Sequence, residues 1–166
     1  MLKECAVNEL KENWIRAIAD EWMLIAAGNQ QGYNMMTASW GFAGEIWGED
    51  SVAVFVRPQR HTLGFLEEND TFTLSFYGDN RAVHKVCGSL SGRDVDKTAL
   101  TGLSPVFADG SVYFKEARLV LLCRKVYADG IRPENFVQSD IGEKWYPDAD
   151  YHRLFIGKIE RAWIND

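Results

Sequence analysis

The chain has 166 residues, with 18 Lys and Arg against 24 Asp and Glu, a formal net charge of −6. A chain of this size buries about 70% of its unfolded surface and folds without staples, and 46% hydrophobic with 25% charged residues is a globular balance that excludes disorder over the whole length. The acidic excess demotes nonspecific nucleic-acid binding, and no stretch approaches the ~18 apolar residues of a membrane-spanning helix. Cys5, Cys87 and Cys123 are too widely spaced for a secreted-type framework or a metal cluster. The Met-Leu-Lys-Glu-Cys start has no apolar run. A reducing, cytoplasmic setting follows as the expectation. Residues 1–166 show no linker or repeat and read as one domain.

Trp22 to Gly28 reads as a buried strand ended by Gly-Asn. Asn34 to Gly41 reads as a strand of small and polar residues. Ser51 to Pro58 is the clearest strand, β-branched and stopped by Pro58. His61 to Asn69 predicts a short helix capped by Thr62, with Leu63, Leu66 and Phe65 facing inward. Thr71 to Tyr77 alternates, with Phe72, Leu74 and Phe76 on one face. Asn80 to Cys87 has helical spacing, with Ala82, Val83, Val86 and Cys87 on one side, and Asp94 to Leu100 predicts another short helix capped by Asp94. Ser111 to Tyr127 reads as one long strand bent near Glu116–Ala117. Arg132 to Phe136 suggests a helical turn and 140–151 an acidic, aromatic loop. Arg153 to Trp163 is the last strand, with Leu154, Ile156 and Ile159 or Trp163 inward. Many strands with short helices favour a mostly β fold, a β-barrel carrying inserted helices, over a βαβ series.

No nucleotide fingerprint, metal motif or nucleophile elbow is present. His61, His84 and His152 are scattered and read as surface or helix-end histidines. Three segments stand out. Asn34-Met35-Met36-Thr37-Ala38-Ser39-Trp40-Gly41 would let backbone approach a planar ligand, or be an ordinary edge strand. Val56-Arg57-Pro58-Gln59-Arg60-His61-Thr62 places two guanidiniums before a helix start, suited to a phosphate or simply offset by Glu67 and Glu68. Cys87 to Lys97, with Ser91, Gly92 and Arg93, makes an anion-binding rim or a plain helix connection.

In series, Asn34-x-Met36-Thr37-Ala38-Ser39-Trp40-Gly41, Val56-Arg57-Pro58-x-Arg60-x-Thr62, Phe72-Thr73-x-Ser75-Phe76 and Cys87-Gly88-x-x-Ser91-Gly92-Arg93-Asp94-x-Asp96-Lys97 resemble the flavin reductase-like family of FMN-binding split-barrel proteins, nearest its flavoredoxin-like subgroup. The resemblance spans about Trp22 to Trp163. It implies an FMN-binding split barrel, homodimeric, with flavin near the subunit interface. It implies that Asn34, Met36, Thr37, Ala38 and Ser39 line the flavin ring. Val56, Arg57, Pro58, Arg60 and Thr62 would surround the phosphate, with Pro58 fixing the turn. Ser91, Gly92, Arg93 and Lys97 would add polar and cationic contacts. It further implies an NAD(P)H-dependent oxidoreductase, or an electron carrier served by a redox protein, with no catalytic side chain and no metal. A non-redox binding module is the third reading. Cys87 is either a redox thiol or a buried helix-face cysteine, and Trp22, Trp47, Trp145 and Trp163 are expected as core or interface anchors.

Overall fold

A computed structural model describes residues 1–165. The strands are β1 (Lys3–Cys5), β2 (Met23–Asn29), β3 (Gly32–Ala38), β4 (Gly41–Ile46), β5 (Glu49–Val56), β6 (Thr71–Phe76), β7 (Pro105–Ala108), β8 (Ser111–Phe114), β9 (Leu119–Gly130) and β10 (Arg153–Ile164). The helices are α1 (Trp14–Arg16), which widens into a π turn over Ala17–Glu21, then α2 (Thr62–Glu68), α3 (Arg81–Ser89), α4 (Lys97–Thr101) and α5 (Ser139–Trp145). No helix among the described residues is long and apolar enough to cross a membrane.

The main sheet runs β3-β2-β6-β9-β10-β5-β4, with β1 added beside β10, and its ladders are antiparallel. It curls on itself. Residues from strands far apart in the order, Ile25 of β2, Val54 of β5 and Phe155 of β10, share one buried cluster. The barrel stays split between its end strands β3 and β4, and only Ser39 and Trp40 cross that seam. Arg118 clips the N-terminal segment across the barrel, reaching Glu12 at 2.6 Å and Glu21 at 2.7 Å.

A second apolar layer lies outside the barrel, where Leu24, Val120 and Leu122 meet Val112 and Phe114 of the β7–β8 hairpin and Val83 and Cys87 of α3. This explains β6. Phe72, Leu74 and Phe76 face the barrel as alternation predicts, but Thr73 and Ser75 are buried too. Thr73 donates to the Val112 carbonyl at 2.6 Å, so its hydroxyl enters the second layer satisfied.

Several sequence expectations need correction. The stretch 111–127 is two strands in different sheets, separated by a turn at Lys115–Ala117. In β10 it is Phe155, Gly157 and Ile159 that are buried, not Leu154 and Ile156. The register shift after Ile159 puts the extra residue in β10 and resets its inward phase, so Ala162 is next inside. Gly157 has a steric reason: a Cβ there would lie 2.6 Å from the Phe72 ring. Ala82 is exposed and His84 takes its place on the inner face of α3. Asp96, not Asp94, caps α4 by accepting from the Ala99 amide at 3.0 Å. Thr62 opens α2 without capping it. Part of the predicted 140–151 loop is α5.

Candidate functional site

The open seam of the barrel is where the chemistry-bearing residues converge. β3 is an end strand, so alternate backbone amides and carbonyls between Met36 and Ser39 point away from β2. They border a slot of about 250 Å³, walled also by Trp40, Phe55, Arg57, Arg60, Trp145 and His152. A smaller polar cavity of about 130 Å³ continues from it, lined by Arg60, Thr62, Ser89, Ser91, Gly92 and Lys97 among others. Met36 and Arg60 border both. The three segments singled out in the sequence therefore meet at one continuous site.

Within it the residues differ in what they can offer. Asn34 is buried, and its amide donates to Thr62 Oγ1 at 2.9 Å. Its Oδ1 packs on Gly92, where a Cβ would lie only 2.1 Å away. Thr62 accepts that bond and keeps its own O–H to donate. Arg60 donates one N–H to the Gly88 carbonyl at 2.7 Å, which fixes the guanidinium and leaves its other N–H groups. Ser91 accepts from the Arg93 amide at 3.2 Å. Lys97 is buried and donates to the Met35 carbonyl at 2.8 Å and the Cys87 carbonyl at 3.2 Å. It acts chiefly as a tie between β3 and α3. Burial lowers its pKa, opposed by the neighbouring Cys87.

Other assignments shift. Arg57 borders the flat slot rather than the polar cavity. It pairs with Asp150 at 2.5 Å, donates to the Trp145 carbonyl at 3.0 Å and sits over the Tyr146 ring. Hydrogen bonds from Gln59 and Arg57 lower the Asp150 pKa. Pro58 is exposed in a turn closed by the Arg60 amide on the Arg57 carbonyl at 3.1 Å, which fits its expected turn role. The Val56 side chain belongs to the barrel core, as does that of Ala38. Arg93 is exposed and lies outside the polar cavity, against the Gln59 carbonyl. Thr37 spends its hydroxyl on α3, donating to the His84 carbonyl at 3.2 Å beside His84 Nδ1. Thus backbone, more than hydroxyls, faces the slot.

His84 and His152 are buried, contrary to the surface reading. Burial, helped by Arg81, pulls the His84 pKa down to about 4. Burial, helped by the Arg57 cation, does the same to His152. His152 lines the slot with Tyr146 Oη 2.9 Å from its Nδ1 and the Trp40 ring 4.9 Å away. As a neutral imidazole it offers one donor and one acceptor. Sequence reasoning missed it, along with Phe55 and Trp145; the aromatic cluster Trp145, Tyr146 and Tyr151 just before the last strand was the available signal. Trp163 is the buried anchor that was expected, stacked on Tyr113, whereas Trp47 is exposed at a hairpin tip. Cys87 is fully buried, and desolvation raises its pKa to about 11, so it is a packed thiol.

The chain belongs to the family with a flavin reductase like domain, whose model matches residues 15–166. Its fold is similar to flavoredoxin from Methanosarcina acetivorans, at 21% identity over 88% of this chain and 69% of that one, with a TM-score of 0.67. It is similar to flavoredoxin of Desulfovibrio vulgaris, at 20% identity over 99% and 78% of the chains, with a TM-score of 0.69. An FMN-binding domain of a flavin reductases-like enzyme from Shewanella baltica gives 18% identity over 99% and 77%, with a TM-score of 0.69. None of the curated proteins matches the chain.

Proposed function

We propose that this chain binds FMN, its ring in the slot along Met36 to Trp40 and its phosphate in the cavity of Arg60, Thr62 and Ser91, and serves as an oxidoreductase. Reduced nicotinamide would supply the electrons, and flavin or another acceptor would take them. The observation that carries the reading is the adjoining pair of cavities: one edged by the β3 backbone and walled by aromatic rings, the other cationic and rich in hydroxyls, sharing Met36 and Arg60. A planar ring with a phosphate tail matches that pair in shape and charge. Bound FMN supplies the hydride and electron chemistry. The chain's own residues hold it. Asn34 and Gly92 set Thr62, Gly88 sets Arg60, and Lys97 adds positive potential. Ala38, Val56 and Pro58 support from the backbone, Thr37 and Ser39 flank the ring, and Arg57 and Arg93 contribute charge at the rim.

In this reading residues 1–166 act as one domain in the cytoplasm and pair as a homodimer. A second reading, an FMN electron carrier fed by a redox protein, is favoured by the adjoining apolar groove, which has no charged lining residue for a dinucleotide's phosphates. The test is an absorption spectrum of the purified protein after FMN addition, then anaerobic titration with NADH and NADPH. Yellow protein bleached by a nicotinamide supports the reductase. Yellow protein reduced only by a partner redox protein supports the carrier. Protein that retains no FMN refutes both.

A further inference from the structure

Beside the slot lies a much larger cavity of about 530 Å³. Its walls come from four separate parts of the chain: the N-terminal helical segment, the start of β4 with the two residues before it, Phe55 of β5, and the excursion between β9 and β10 that carries α5. It shares Ser39, Trp40, Phe55 and Trp145 with the slot, so the two adjoin. Its chemistry is one-sided. Aromatic rings (Trp14, Trp40, Phe55, Phe136, Trp145) line it, and no lining residue is Asp, Glu, Lys, Arg or His. Two cations beside its lining residues are already engaged: Arg57 with Asp150, and Lys144 with the Trp145 ring.

These features select a ligand class. The volume falls in the range of small-molecule sites. Aromatic walls favour a flat ring, through offset or edge contacts. A charged group placed there loses its hydration and finds no counter-charge, so charge is penalised. We propose that this groove is a second ligand site, and that it takes an uncharged, planar ring compound of the aromatic-ketone or quinone type. The proposal deepens the FMN reading and rests on it for the ligand's role beside the flavin, though not for the binding itself.

The test is equilibrium dialysis of the whole protein, with and without FMN, against a matched pair of probes: 2-acetonaphthone, which is neutral, and 2-naphthoate, its carboxylate counterpart. The neutral probe is expected to bind about tenfold or more tighter than the anion. Ile141 lines the groove and is 39% exposed on α5. Ile141→Lys should therefore leave the melting curve unchanged and reverse the preference by giving the carboxylate a partner. Equal binding of the two probes, or binding of neither, overturns the proposal. So does a neutral-probe affinity that falls as sedimentation shows the protein dimerising, because a second copy then fills the groove. If Ile141→Lys fails to fold, the wild-type preference still decides. Protein that takes the neutral probe selectively but never FMN refutes the flavin reading and leaves the groove assignment standing. Protein that holds FMN but neither probe does the reverse.

Discussion

Gly92→Ala tests how the polar cavity is built. The added Cβ would sit 2.1 Å from Asn34 Oδ1 and 2.9 Å from its Cγ. Asn34 cannot swing freely, because it is 5% exposed and its amide is bonded to Thr62 Oγ1 at 2.9 Å. Overpacking of this kind costs about 1–3 kcal/mol. Losing the buried Asn34–Thr62 bond adds about 1 kcal/mol. At about 2–4 °C per kcal/mol for a domain of this size, the melting temperature should fall by roughly 5–10 °C. Displaced Asn34 also releases Thr62, so FMN affinity should drop by about tenfold, the equivalent of one hydrogen bond. Calorimetry and FMN fluorescence quenching read the two effects. The double variant Asn34→Ala with Gly92→Ala removes the clash, and its stability loss should be smaller than the sum of the single losses by about 1 kcal/mol or more. Gly92→Ala with unchanged melting and unchanged FMN affinity would refute the linkage from Gly92 through Asn34 to Thr62.

Arg60→Ala should weaken FMN by roughly 10- to 150-fold, the worth of a charge-assisted hydrogen bond. Arg57→Ala, whose guanidinium is already paired with Asp150, should weaken it by less; equal losses would place both arginines on the phosphate. His84 and His152 titrate near 4 when folded but near 6.5 when unfolded. The unfolded chain therefore binds more protons between those values. Stability is whole above about pH 6.5 and is lost as pH falls toward 4, by on the order of 3 kcal/mol per histidine. Urea unfolding across that range checks it, and His84→Gln should flatten the slope. Cys87, protonated at neutral pH behind its burial, should react with a thiol reagent only in denaturant, and Cys87→Ala should still turn yellow with FMN; fast native labelling would restore the redox-thiol reading.

Much of the site was legible because its segments are local. Each motif is a short run whose residues stay adjacent in the fold, and the turn at Pro58 carries the second from β5 into α2 whatever the rest does. What sequence could not supply was direction. Arg57 and Arg60 are three residues apart, yet the turn sends one to Asp150 and the other to Gly88. Lys97 looks like a free cation until β3 and α3 close over it. The phase of β10 failed because Leu154, Phe155 and Ile156 are apolar in a row, and which of them turn inward is set by pairing with β5 and β9, a long-range property with no local mark. His84 and His152 escaped notice because a buried polar ring is made tolerable by side-chain partners that no apolar period reveals, Thr37 for the first and the Tyr146 hydroxyl for the second.

How an acidic chain holds an anion is the point on which the flavin reading can be weighed by chemistry alone. Net charge −6 repels a phosphate at long range. At short range the balance reverses, since the polar cavity is lined by Arg60 and Lys97 and by no Asp or Glu. Those contacts touch the phosphate and not the ring. Riboflavin, which keeps the ring and lacks the phosphate, should therefore bind roughly 10- to 150-fold more weakly than FMN, the worth of a charge-assisted hydrogen bond. The gap should narrow as salt rises, because partly exposed charges are screened within about 10 Å at 0.1 M. Titration of the protein with both flavins at low and high salt gives the comparison. Riboflavin binding as tightly as FMN would show that the tail makes no contact with Arg60, and would move the phosphate out of this cavity while leaving the slot as the ring's place.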